Sequence, residues 1–181
     1  MAANLSAADV SSQFATVTEC LGEVTHFDDA PQWIYQLDNP YLHGMYAPID
    51  SEHDTTALTI EGELPADLRG AYYRNGPNPV HQPKNRYHPF DGDGMVHAVH
   101  LTEAGPRYVN RWVNTDAFSQ EGNSGRSASP GVMGPFDYSV SQFGIKDTSN
   151  TDLLMLNGDL VSLWYNAGHP YALDPNTLET R

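Results

Sequence analysis

Basic residues are scarce in this sequence. Nine Lys and Arg stand against 23 Asp and Glu over 181 residues, a formal net charge of −14. None occurs before Arg69, whereas the first 68 positions hold twelve acidic residues. A phosphate backbone would repel such a surface, so a nucleic-acid partner is not expected. Cysteine is nearly absent: Cys20 stands alone, which excludes an internal disulfide and a thiolate metal cluster. No apolar run approaches the length of a membrane span, so no transmembrane segment is expected. The opening Met1-Ala2-Ala3-Asn4-Leu5-Ser6 shows neither a basic n-region nor an apolar h-region. A secretory signal is therefore not expected, and a cytoplasmic location is.

What the sequence does contain favours strands. Ten Tyr, six Phe and three Trp accompany 15 Gly and 13 Pro, a composition suited to short strands joined by many turns. Residues 1–54 show no sustained period and read as an irregular N-terminal arm, with a weak helix signal from Asp9 to Leu21. Strand signals begin at Thr55–Glu61 and return at Ala71–Arg74. The alternation of Met95, His97, Val99 and Leu101 against Val96, Ala98 and His100 predicts one strand of a hairpin. Its return strand runs over Arg107–Asn114. Residues 119–135, rich in Ser, Gly, Asn and Pro, read as a surface excursion. A second hairpin, Asp152–Leu156 and Leu160–Trp164, is expected around Asn157-Gly158-Asp159, because Asn and Gly both tolerate positive φ. Repeated hairpins with uneven loops suit stacked sheet blades or a sandwich.

Eight histidines, at positions 26, 43, 53, 81, 88, 97, 100 and 169, raise a metal hypothesis. Their spacing does not support it. His97 and His100 lie three apart on one strand, which sends them to opposite faces, and no His-Glu-x-x-His helix exists. Asp91 and Asp93 do not make an EF-hand loop; bonds from their side chains to backbone would brace a Gly-rich turn. Nothing fixes a substrate between them as an acid–base pair. Gly92-Asp93-Gly94 lacks the dinucleotide spacing, and no G-x-S-x-G elbow is present.

An ordered series of motifs carries more information. It runs from Ile60-Glu61-Gly62-Glu63-Leu64-Pro65 through Arg74-Asn75-Gly76-Pro77-Asn78-Pro79 to Tyr87-His88-Pro89-Phe90-Asp91-Gly92-Asp93-Gly94-Met95-Val96-His97. Tyr108-Val109-Asn110-Arg111-Trp112, Asp147-Thr148-Ser149-Asn150-Thr151, Gly168-His169-Pro170-Tyr171 and Thr177-Leu178-Glu179-Thr180 follow. In this order the series resembles the carotenoid oxygenase family, which also contains the lignostilbene dioxygenases and the retinal pigment epithelium isomerase.

The resemblance implies an all-β fold, here a partial seven-bladed β-propeller over residues 55–181 preceded by the arm. In the complete family enzyme it implies Fe(II) held by four histidines, and O₂-dependent cleavage of a C=C bond in an apolar polyene or stilbene substrate. The family's first iron histidine lies beyond the Leu-Glu-Thr motif, which here is followed by Arg181. The resemblance therefore assigns no catalytic, cofactor-binding or metal residue to this chain, His97 and His169 included, and no bound iron is expected. The expectation is an N-terminal portion, poorly stable and inactive alone, that works with a complementary C-terminal portion. A non-catalytic, truncated or partner-requiring β-module is the alternative.

Overall fold

The computed structural model of the chain describes residues 31, 33, 34, 37–165 and 168–181. The helix signal at Asp9–Leu21 lies outside them. Seven strands form two antiparallel sheets. The first has the order β1 (Asp54–Thr55), β4 (Gly105–Trp112), β3 (Gly94–Thr102), β2 (Gly70–Pro77); the second is β5 (Asp152–Leu156), β6 (Asp159–Leu163), β7 (Tyr171–Leu173). One α-helix, α1 (Asp116–Ser124), connects them among the described residues. The described strands do not close into a ring.

The alternation in the sequence sets the register. Ala98 pairs with Val109 and Val96 with Arg111, so the even-numbered face of β3 and the odd-numbered face of β4 coincide. That face turns toward the second sheet. Val96, Ala98, Val109 and Val113 pack there against Leu160, Leu173 and Leu178. Removing these side chains from water supplies the main force joining the sheets. Polar bonds fix their relative position. Asn75 Nδ2 donates to Ser149 O at 2.9 Å and to Ser162 Oγ at 3.0 Å, and Tyr73 OH donates to Pro175 O at 2.9 Å. A smaller cluster of Ile34, Leu42 and Tyr87 fastens the segment before β1 to the body, through 3-10 turns at Pro40–Leu42 and Gly44–Tyr46.

Three local expectations need correction. The strand expected over Thr55–Glu61 is confined to Asp54–Thr55; Leu58 and Ile60 are exposed and find no packing surface. The excursion expected from residue 119 begins as helix. The Thr115 side chain accepts from Phe118 N–H at 3.0 Å as N-cap, and Gly125 closes the helix at φ 67°. Asp159 belongs to β6, so the second hairpin turns on two residues, Asn157 and Gly158.

Gly94 shows why the Gly-Asp-Gly turn needs its second glycine. Its N–H donates to Thr148 O at 2.8 Å, and its carbonyl accepts from Val113 N–H at 2.7 Å. A Cβ there would overlap the carbonyl oxygens of Ser149 and Thr148, 2.6 Å from the latter. Backbone atoms cannot swing aside as a side chain can. Gly94→Ala is expected to cost about 1–3 kcal/mol, read as a lower urea midpoint with an unchanged slope.

Candidate functional site

The densest buried charge lies where the Gly-Asp-Gly turn, α1 and the loop before β5 converge. Lys146 Nζ sits 2.6 Å from Asp93 Oδ1 and 2.6 Å from Glu121 Oε2, and all three side chains are at most 8% exposed. Glu121 Oε1 also accepts from Ala128 N–H at 2.9 Å and from Ser129 N–H and Ser127 Oγ at 3.3 Å. Asp93 Oδ2 accepts from Val80 N–H at 3.1 Å. Burial alone would push the Glu121 carboxyl up; the Lys146 ammonium and the backbone donors outweigh it and hold the carboxyl below its ordinary range. Burial likewise opposes the Lys146 charge, but Asp93 and Glu121 carry its pKa above the ordinary lysine value. The Lys146 ammonium is held between two carboxylates drawn from different segments, so this cluster acts as a clamp joining three segments.

A cleft of about 410 Å³ opens beside the clamp, lined by Asp116, Phe143, Lys146, Asp147, His169 and Tyr171, among others. Asp147 accepts from Ser149 N–H at 3.2 Å, His169 N–H at 3.1 Å and Tyr171 OH at 3.3 Å. Burial raises its pKa against these bonds. The Tyr171 hydroxyl is pushed up to about 12, chiefly by burial, with Asp147 and Asp116 adding to it. Tyr171 therefore stays protonated at neutral pH, donating to Asp147 while accepting from Asp116 N–H at 3.4 Å.

Asp91 braces its turn as the sequence suggests, accepting from His88 N–H at 2.9 Å and Val132 N–H at 2.7 Å. Asp93 does more than that: its ion pair with Lys146 was not expected. The missed residues are Lys146 and Glu121. One signal was available, since Lys146 is the single basic residue between Arg126 and Arg181.

The histidines are dispersed. His97 and His100 occupy opposite faces of β3. His97 Nδ1 shares a 2.7 Å hydrogen bond with Tyr108 OH, and the ring of His100 meets that of Tyr73 edge-on. Burial, with Arg74 nearby, lowers the His97 pKa to about 4, so its imidazole is neutral. His43 Nε2 donates to Leu37 O at 2.7 Å, and His88 Nδ1 accepts from Phe90 N–H at 3.2 Å. His26 lies outside the described residues. Among those described, no three His, Cys, Asp or Glu side chains converge as a metal site. The described residues therefore offer no set of side chains that fits an iron centre.

No helix among the described residues is long and apolar enough to cross a membrane. The sequence model of the retinal pigment epithelial membrane protein family matches residues 46–181. An isoeugenol monooxygenase of Pseudomonas nitroreducens is 35% identical over 146 residues, covering 80% of this chain and 30% of that protein. A carotenoid 9,10(9',10')-cleavage dioxygenase of Phaseolus vulgaris is 33% identical, covering 76% of this chain and 28% of its own length. The crystal structure of a Pseudomonas brassicacearum lignostilbene dioxygenase superposes with a TM-score of 0.69 at 31% identity, covering 79% of this chain and 30% of that one. The chain thus spans about 30% of the length of the relatives it matches. With the motif series, the family model over residues 46–181 and the superposition in agreement, the chain belongs to the carotenoid oxygenase family, that of the retinal pigment epithelial membrane protein.

Proposed function

We propose that this chain forms the N-terminal portion of an Fe(II)-dependent dioxygenase that cleaves a C=C bond of an apocarotenoid or stilbene. The observation that carries the reading is the superposition on lignostilbene dioxygenase over 79% of the chain. Residues 55–181 would supply the first blades of a seven-bladed propeller, with residues 1–54 as an arm against it. The open edges support this role. On β5, Leu154, Met155 and Leu156 are exposed, and β5 has no partner beyond β6 among the described residues. Further blades would cover such an edge. The iron would be held outside the described residues, and this chain's contribution is the rigid platform built around Asn75, Gly94 and Lys146.

Turnover is therefore expected only in combination. The chain alone, and the chain together with the complementary C-terminal portion of lignostilbene dioxygenase, are supplied with Fe(II), O₂ and either an apocarotenal or a stilbene. Carbonyl products are expected from the combination and not from the chain. Turnover by the chain alone, or an iron-loaded combination that yields no product, would contradict the proposal.

A further inference from the structure

Two Asn-Gly pairs occur in the sequence, Asn75-Gly76 and Asn157-Gly158, and the fold treats them in opposite ways. We infer that Asn157 is a site of spontaneous deamidation, selected by the structure over Asn75. Asn-Gly is the pair most open to this chemistry, because a glycine nitrogen is not shielded by a side chain. The Gly158 nitrogen attacks Asn157 Cγ, the Cγ–Nδ2 bond breaks, and the Gly158 amide proton leaves with Nδ2 as ammonia. Water then opens the resulting succinimide at either carbonyl, giving aspartate or isoaspartate. Water is the only co-reactant.

At the β5–β6 turn no described residue restrains this sequence of steps. Asn157 and Gly158 are both exposed, with φ of 53° and 92°. The Asn157 side chain makes no hydrogen bond to a described residue, and the space where a Gly158 Cβ would stand is open. The turn closes a hairpin of two five-residue strands, and β5 has no partner beyond β6 among the described residues, so local opening is cheap there.

Asn75 is held instead. Its Nδ2, the atom that must leave, donates to Ser149 O and Ser162 Oγ, while Gly76 N–H donates to Asn75 Oδ1 at 2.9 Å. Both residues sit in β2, paired with Val96 and Met95. Rotation into the attacking geometry requires β2 to separate from β3.

Conversion at Asn157 places a new carboxylate close to Asp159, whose own carboxylate pairs with Arg181. The isoaspartyl form adds one backbone atom to a two-residue turn, which the Leu156–Asp159 pairing does not accommodate.

The test incubates the purified 181-residue chain at mildly alkaline pH, with and without urea, and follows both peptides by mass spectrometry. In the native chain the Asn157 peptide is expected to gain about one mass unit at least about tenfold faster than the Asn75 peptide, which must await opening of β2. In urea the two rates are expected to converge. The Asn157→Gly variant, which keeps the positive-φ turn, is expected to show no gain in that peptide. No conversion at Asn157, or equal native rates at both asparagines, would overturn the inference.

Discussion

Replacing Lys146 by Met is expected to destabilise the chain by about 3–5 kcal/mol, the cost of leaving buried charge without its partner. Asp93 and Glu121 would then face each other across an uncharged side chain in a site where all three groups are nearly inaccessible. A loss of that size is a large share of a domain's net stability. Urea unfolding, compared at one chain concentration, is expected to show the transition shifted far toward zero denaturant. The triple variant Lys146→Met, Asp93→Asn, Glu121→Gln separates lost charge balance from lost packing. It removes the uncompensated carboxylates while keeping acceptors for Val80 and Ala128 N–H, and it is expected to recover most of the loss. The pH dependence follows from the same geometry. Glu121 has a lowered folded pKa, so its contribution is present above the unfolded value and fades as pH falls through the folded one. Lys146 has a raised folded pKa, so its contribution is present below the unfolded value and fades as pH rises through the folded one. Between those limits the clamp's contribution is flat.

The Leu173→Ala variant is expected to cost about 2–5 kcal/mol, by lost transfer energy and by the cavity left behind. Leu173 is fully buried on β7, among the residues that join the two sheets. Its neighbours come from β3, β4 and β6, all hydrogen-bonded in ladders, and such a site collapses poorly around a void. Leu156→Ala is the matched control. The same side chain on the open β5 edge is 54% exposed, and its loss is expected to change stability by no more than about 0.5 kcal/mol. Equal losses at the two positions would show that the described edge is covered in solution.

The parts of the fold legible in the sequence are those specified by near neighbours. Alternation from Met95 to Leu101 located β3 and divided its residues between two faces, and Asn157-Gly158 located the second hairpin. The parts that were not legible depend on distant partners. Helix α1 contains Ser119, Gly122, Asn123 and Ser124, all weak helix formers. It stands because Thr115 caps it and because Glu121 reaches Lys146, 25 residues further on. The Thr115 cap and the Gly125 stop were in the sequence, but without an apolar stripe they read as loop. Asp93 was recognised as part of a braced turn, while the charge that makes it a clamp lies in another segment. Conversely, branched residues in Thr55–Glu61 promised a strand that the fold uses only at Thr55, since strand propensity needs a neighbour to pair with.

The central claim is that the family motifs of this chain build a platform and do not hold the metal. Anaerobic loading of the 181-residue chain with Fe(II), followed by desalting and metal analysis, tests it most directly. The account predicts retention far below one iron per chain, unchanged when His97 or His169 is replaced by Ala. Retention of close to one iron per chain, lost on replacing either histidine, would contradict it.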